Sequence, residues 1–140
     1  MNGRFFLDTN IFVYSFDRSS ATKSSRSNQL IERAVTARTG ITSYQVVQEF
    51  FNVALRKFNK PMTSDEAEQY LSVVFRPLMT VNSSQALYTE ALRITQRYRF
   101  SWFDSLILAA ALEGGCNLLY SEDLQHGQKI GNLRVENPFL

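Results

Sequence analysis

The segment Phe5-Phe6-Leu7-Asp8-Thr9-Asn10 runs three apolar residues straight into a carboxylate and two small hydrogen-bonding side chains. A short apolar run bounded by polar residues reads as a buried strand. In an open parallel sheet, ligands bind in the crevice outside the carboxyl ends of the strands. If Phe5 to Leu7 is such a strand, Asp8 stands at the working rim of the sheet. The competing role is local: Asp8 caps a short helix over Asn10 to Phe16, suggested by Ile11-Phe12-Val13-Tyr14. The stretch alone is consistent with both roles, and the rest of the chain has to decide between them.

Working outward, Asp17-Arg18-Ser19-Ser20 reads as a turn. Leu30, Ile31, Ala34, Val35 and Ala37 recur among charged residues from about Lys23 to Arg38, a surface helix with one buried stripe. Gly40 ends it, and Ile41 with Thr42 suggests a very short second strand. A helix capped by Thr42 or Ser43 runs to about Phe58. Its apolar face is Val47, Phe50, Phe51, Ala54 and Phe58, with Glu49 off that face beside Val46 and Val53. Lys60-Pro61 stops this helix, and Thr63-Ser64-Asp65-Glu66 matches a capping box that opens another to about Val74. Pro77 interrupts, Leu78 to Val81 is a candidate strand, and Ser83 or Ser84 caps a helix from Gln85 to Tyr98. Ser101 caps a helix from about Trp102 to Glu113, ended by Gly114-Gly115. Cys116 to Tyr120 is the second convincing strand, and Leu133 to Val135 a last short one. Helices alternating with short strands define an α/β class, a three-layer α/β/α domain around a central parallel sheet.

At 140 residues, 44% hydrophobic and 20% charged, the chain fits one soluble globular domain spanning 1–140. The single cysteine, Cys116, lies in an apolar run and reads as a small buried hydrophobe, so nothing demands an oxidising compartment. No signal-peptide core opens the chain, and no run approaches the ~18 apolar residues of a membrane span. A cytoplasmic protein without a membrane partner is expected. The net charge of +2 is too small to name a partner by itself.

Asp104 is the second carboxylate that resists a bland reading. A first-turn Asp facing the helix dipole is a common surface device. Here, however, the residue shares a face with Ile107, Leu108 and Ala111, beside Trp102 and Phe103, and a buried carboxylate needs a partner such as a cation. Asp123 in Ser121-Glu122-Asp123 repeats the arrangement around Asp8: apolar strand, small hydroxyl, carboxylate. Glu49 and Asp104 each lie near a helix N-terminus, and in an α/β unit such helices begin at the carboxyl rim. Four acids separated by 41, 55 and 19 residues are therefore expected to converge. At close range they cannot all stay ionised without a cation. Oxygen-only ligands suit Mg²⁺ or Mn²⁺ rather than zinc. Such sites carry out metal-assisted hydrolysis, most often of phosphodiesters, by activating water and stabilising the leaving oxygen of an in-line displacement.

With Leu7-Asp8-Thr9-Asn10, Glu49 in Val46-Val47-Gln48-Glu49-Phe50, Asp104 in Trp102-Phe103-Asp104-Ser105-Leu106-Ile107, and Ser121-Glu122-Asp123 in that order, the sequence resembles the PIN-domain ribonucleases. More narrowly, it resembles the VapC-type toxins of bacterial toxin–antitoxin systems. The resemblance implies an acidic core of Asp8, Glu49 and Asp104 holding Mg²⁺ or Mn²⁺. Asp123 matches the final, more variable acid, with Ser121 in place of the commoner threonine and Glu122 as a competing fourth ligand. Asn10 and Ser121 are expected to hydrogen-bond and orient the carboxylates. An endoribonuclease acting on RNA, a homodimer and a small antitoxin partner that blocks the groove are all implied.

Thirteen acidic residues less the four in the constellation leave nine against fifteen basic ones. Arg56, Lys57 and Lys60 lie beyond Glu49, while Arg93, Arg97 and Arg99 precede Asp104. A basic rim around an acidic pocket suits a polyanion, with Arg56, Lys57, Lys60, Arg97 and Arg99 as RNA-contacting candidates; each taken singly also fits an ordinary solvated helix face. His126, the only histidine, falls in a polar loop and reads as solvated. Asp17 reads as a turn or salt-bridge residue, and Phe50, Phe51 and Phe103 as core. A haloacid-dehalogenase-like phosphatase requires an acid where Asn10 stands. A receiver-like signalling module requires a paired acid at the first strand and a lysine after the last core strand, neither of which is evident. A catalytically silent binding protein of the same fold is the remaining alternative.

Overall fold

The computed structural model describes residues 3–140. Strand β1 is Arg4–Leu7, buried from Phe5 onward. It is followed by α1 (Thr9–Tyr14), α2 (Ala21–Ala37), β2 (Gly40–Ser43), α3 (Tyr44–Ala54) and α4 (Ser64–Tyr70). A π-helical turn over Leu71–Phe75 leads into α5 (Arg76–Leu78) and β3 (Met79–Val81). The chain closes with α6 (Gln85–Tyr98), α7 (Trp102–Glu113), β4 (Cys116–Tyr120), β5 (Lys129–Ile130) and β6 (Leu133–Glu136). One sheet holds all six strands in the order β3-β2-β1-β4-β6-β5. Every pairing is parallel except β5 with β6, so the expected parallel sheet carries one short antiparallel edge strand. That strand was not anticipated, because two residues of one turn-rich segment have no readable period.

The strand order reverses at β1. Chain to one side runs out through β2 to β3, while β4 lies against its other edge. A crevice at such a switch point is where open α/β sheets bind ligands. Leu7 pairs with Tyr120, and the Asp8 amide donates to the Tyr120 carbonyl at 3.1 Å. The ends of β1 and β4 are thereby locked side by side, with Asp8 and Ser121 as neighbours.

The helical segments follow the expectations, with three corrections. The α3 helix ends at Ala54, so Phe58 packs from the loop beyond it. Its buried residues are Gln45, Val46, Phe50 and Ala54 rather than the face centred on Val47 and Phe51. The rotation arises because Phe50 stacks on Tyr70 at 5.1 Å and meets Phe12 and Phe75 edge-on, and Glu49 is turned from the outside toward the sheet rim. Pro77 does not break the path. It sits in the first turn of α5, after the π turn, where its missing N–H leaves no gap in the ladder. The Thr63/Glu66 capping box forms as expected.

Helix α7 is buried at every position from Ser105 to Ala111. It is the central helix of one layer, packed against α6 and β4, which explains why its sequence shows no polar face. Gly40, at the start of β2, makes a close approach: a Cβ there would lie 2.3 Å from the Ala34 Cβ and 2.7 Å from the Phe5 ring. Both neighbours belong to the rigid core, so Gly40→Ala is expected to lower stability by about 1–3 kcal/mol through overpacking. Urea unfolding of the two proteins reads this directly; an unchanged midpoint would mean that α2 gives way freely.

Candidate functional site

The rim of the sheet is built around Asp8, which is only 7% exposed. Asp8 follows β1 at the switch point, and it is the N-cap of α1, its Oδ1 accepting from the Thr9 amide at 2.7 Å. Its Oδ2 accepts from the buried Ser121 hydroxyl at 2.8 Å. Ser121 Oγ also accepts from the Asp123 amide at 3.2 Å, which bends the chain after β4 back over the crevice. Asn10 completes the clasp: its Nδ2 donates to Asp123 Oδ2 at 3.2 Å, and its Oδ1 accepts from the Glu122 amide at 3.3 Å. Asn10 and Ser121 thus each donate a hydrogen bond to a carboxylate, Asp123 and Asp8 respectively.

Glu49 is held from two sides. Thr9 Oγ1 donates to its Oε1 at 2.6 Å, and Gln45 Nε2 donates to its Oε2 at 3.2 Å. The same Gln45 amide reaches the Phe103 carbonyl at 3.2 Å and so ties α3 to the first turn of α7, where Asp104 stands. Sequence reasoning passed over Thr9 and Gln45. A signal was available for Gln45, since it lies one helical turn before Glu49, the spacing at which side chains meet. The Gln45 Oε1 has no partner and is buried. Asp104 is half-buried at the first turn, under the Ser101 cap.

The four acids share one electrostatic field. Burial pushes Asp8 up to about 7, the Thr9 and Ser121 hydrogen bonds oppose this, and the negative charges of Glu49 and Asp123 raise it further. Asp104 is also raised, first by burial and then by Asp123 and Glu49, against the Ser101 hydrogen bond. Each of two acids on different elements therefore feels the same other two. In the arrangement described, the side chains do not close into a cage: among the described residues no group of three or more His, Cys, Asp or Glu side chains is placed to hold an ion. Oxygens of Asp8, Glu49 and Asp123 point instead to Thr9, Gln45, Asn10 and Ser121. The donor set nonetheless fits a hard divalent cation. It is all oxygen, and a cation would favour the ionised form of Asp8, which burial first and the charges of Glu49 and Asp123 after it disfavour.

Glu122 and Asp123 point different ways: Asp123 accepts from Asn10 beside Asp8. Glu122 turns away, pairs with Lys23 at 2.6 Å and accepts from the Tyr14 hydroxyl; these contacts hold its carboxyl below the usual range. Other expectations fare variously. Asp17 is a turn residue that accepts from the Ser19 amide and hydroxyl. His126 is exposed and accepts from the Asn137 amide. Cys116 is buried and its thiol is pushed up to about 12 by burial, the inert state expected of it. Phe50 is core, but Phe103 is 63% exposed, contrary to the core role given to it. It misleads because α7 is so apolar that an outward aromatic cannot be told from an inward one. Arg56, Lys57, Lys60, Arg97 and Arg99 are all exposed. Lys57 and Lys60, with Arg18, rim a cleft of about 570 Å³ floored by Phe16, Phe58 and Met62.

An α/β domain with an acidic cluster at the switch point of a mostly parallel sheet defines the class of molecule. Residues 5–129 match the family model described as PIN domain, and the chain belongs to that family. No curated protein sequence matches the chain. The fold is shared with solved structures of low sequence identity. A toxin–antitoxin complex from Klebsiella pneumoniae is 20% identical, with 95% of this chain and 96% of that chain covered and a TM-score of 0.68. VapC20 of Mycobacterium tuberculosis, a sarcin-ricin loop cleaving toxin, is 17% identical over 84% and 88%, with a TM-score of 0.62. VapBC2 of Rickettsia felis, bound to a DNA fragment from its promoter, is 18% identical over 95% and 97%, with a TM-score of 0.64. Among the described residues no helix is long and apolar enough to cross a membrane.

Proposed function

We propose that the chain is a Mg²⁺- or Mn²⁺-dependent endoribonuclease, with residues 1–140 working as one nuclease unit, and that it acts as the toxin of a toxin–antitoxin pair. The observation that carries the reading is the buried Asp8 at the switch point, raised by burial and by Glu49 and Asp123. A fold built to keep a carboxylate there at such a cost implies a counter-ion. Asp8 and Asp104 would hold the cation, with Glu49 and Asp123 completing its shell or placing the attacking water. Bound there, a divalent ion lowers the pKa of water and stabilises charge on the leaving oxygen. Ser121, Asn10, Thr9 and Gln45 keep the Asp8, Glu49 and Asp123 carboxylates aimed without adding charge. Exposed cations at Arg56, Lys57, Lys60, Arg97 and Arg99 would meet the flanking phosphates.

Toxin–antitoxin complexes and a sarcin-ricin loop cleaving toxin of the same fold support the toxin reading. A cytoplasmic location, a homodimer and an antitoxin covering the rim belong to the same proposal. The phosphatase alternative loses further ground, because Asn10 serves as a hydrogen-bond donor to Asp123 and not as an acid.

Sequencing of RNA ends after controlled expression would identify the target. With purified protein and Mg²⁺, cleavage of structured RNA is expected for the wild type and is expected to vanish in EDTA and in Asp104→Asn. Full cleavage by that variant, or in EDTA, rules the mechanism out.

A further inference from the structure

We infer that Phe103 is a stacking platform for an unpaired nucleobase of the RNA, at the lip of the acidic site. The inference rests on the ribonuclease reading above. Phe103 is 63% exposed, although it belongs to the most apolar and most buried helix of the fold. Its backbone is fixed rather than loose: the carbonyl accepts from Gln45 Nε2, and the same nitrogen donates to Glu49 Oε2. The ring is therefore presented by a rigid first turn, immediately before Asp104 and two hydrogen bonds from Glu49.

The charge that precedes it in the chain is of the matching kind. Arg97 and Arg99 close helix α6 just before this turn, both exposed. Neither forms an ion pair among the described residues. Aromatic faces interleaved with cations are how proteins take single-stranded nucleic acid: the cations track the phosphates and bases stack on the rings whatever their sequence. A duplex offers no free base face, so the platform selects unpaired loops or bulges. The tilted Tyr88–Trp102 pair, 6.1 Å between centroids, extends aromatic surface along the same hairpin.

The test compares wild type with Phe103→Leu, Phe103→Ala and Phe103→Tyr. Binding of a short single-stranded RNA carrying 2-aminopurine, and of its blunt duplex, is measured in EDTA by anisotropy and by base fluorescence. Wild type is expected to prefer the single strand and to quench the probe. Phe103→Leu and Phe103→Ala are expected to bind the single strand about 5- to 150-fold more weakly and to leave duplex binding unchanged. Phe103→Tyr is expected to restore both affinity and quenching. Equal single-strand affinity for wild type and Phe103→Leu overturns the proposal, as does equal loss on single strand and duplex. A change of sedimenting mass in Phe103→Leu with RNA binding intact also overturns it, since the ring then covers a second copy. Wild type that stacks the probe yet releases no RNA ends in Mg²⁺ sinks the ribonuclease reading alone. Cleavage with the same kcat/KM in Phe103→Leu sinks the platform alone.

Discussion

Asp8→Asn is expected to abolish divalent-dependent RNA cleavage and, in the same protein, to raise the stability of the metal-free form. The two effects share one cause. Burial is the largest influence on Asp8 and works against its charge, as do Glu49 and Asp123. Above pH 7 the wild-type fold carries an ionised carboxylate that it disfavours relative to the unfolded chain. The amide keeps the useful bonds: its oxygen accepts from Thr9 N, and its nitrogen can donate to Ser121 Oγ, which accepts as readily as it donates. What is lost is only the charge. A shift from 3.8 to about 7 caps the gain at about 4 kcal/mol at pH 8. In a chain of this size that is about 2–4 °C of melting temperature per kcal/mol. Cleavage should fall by more than about 100-fold, since losing even a group that merely orients a metal ligand costs roughly 10–100-fold. Thermal melts in EDTA and end-point cleavage in Mg²⁺ check the two halves separately. A variant that melts lower than wild type in EDTA would show that the carboxylate is satisfied where it stands.

How much of this was legible in the sequence depends on the scale of the interaction. Phe5 to Leu7 were readable because a strand buried on both faces must be apolar throughout, and Cys116 to Tyr120 because only Asn117 interrupts an apolar run. Asp8 stands out because it ends the apolar run at the close of β1, and Asp123 because it follows the close of β4 by three residues. The rotation of α3 was not, since both Val46 and Val47 are apolar and only the aromatic packing of Phe50 against Tyr70, Phe12 and Phe75 selects between them. Thr9 and Gln45 stayed hidden for a related reason. A polar residue next to an acid is ordinary in sequence, and its value appears only when Gln45 is seen to reach both Glu49 and the Phe103 carbonyl. The different directions of Glu122 and Asp123 could not be read from their adjacency, because the contacts that turn Glu122 come from Lys23 and Tyr14, about a hundred residues away in the chain. Exposure of Phe103 was misjudged because an apolar helix gives no clue to which of its rings faces water.

The metal-free protein is expected to lose stability as pH rises from about 4 to about 7, and Mg²⁺ or Mn²⁺ is expected to remove that loss. The sign follows from the proton count. Between the ordinary value of 3.8 and the folded value of about 7, Asp8 holds its proton in the folded state and has released it in the unfolded one. The folded state binds more protons there, so the free energy of unfolding falls with pH, by up to about 1.4 kcal/mol per unit for one group. Asp104, also raised, adds in the same direction. The acids with the opposite shift are Asp17, Glu66 and Glu122, each held low by hydrogen bonds. Their contribution is present above the ordinary carboxylate range and is lost only as pH falls through it, below about 4.5. The two sets therefore occupy different windows, and an EDTA-treated sample is expected to be most stable at mildly acid pH. A cation held by the four acids binds the ionised folded state alone and stabilises it by mass action, by about 2.7 kcal/mol at a hundred times its dissociation constant. Melting curves from pH 4 to 8, with EDTA and with excess Mg²⁺, should converge at the acid end and separate steadily above pH 6. Parallel curves across that range would mean that the ion does not sit with Asp8, and the four carboxylates would then need another explanation.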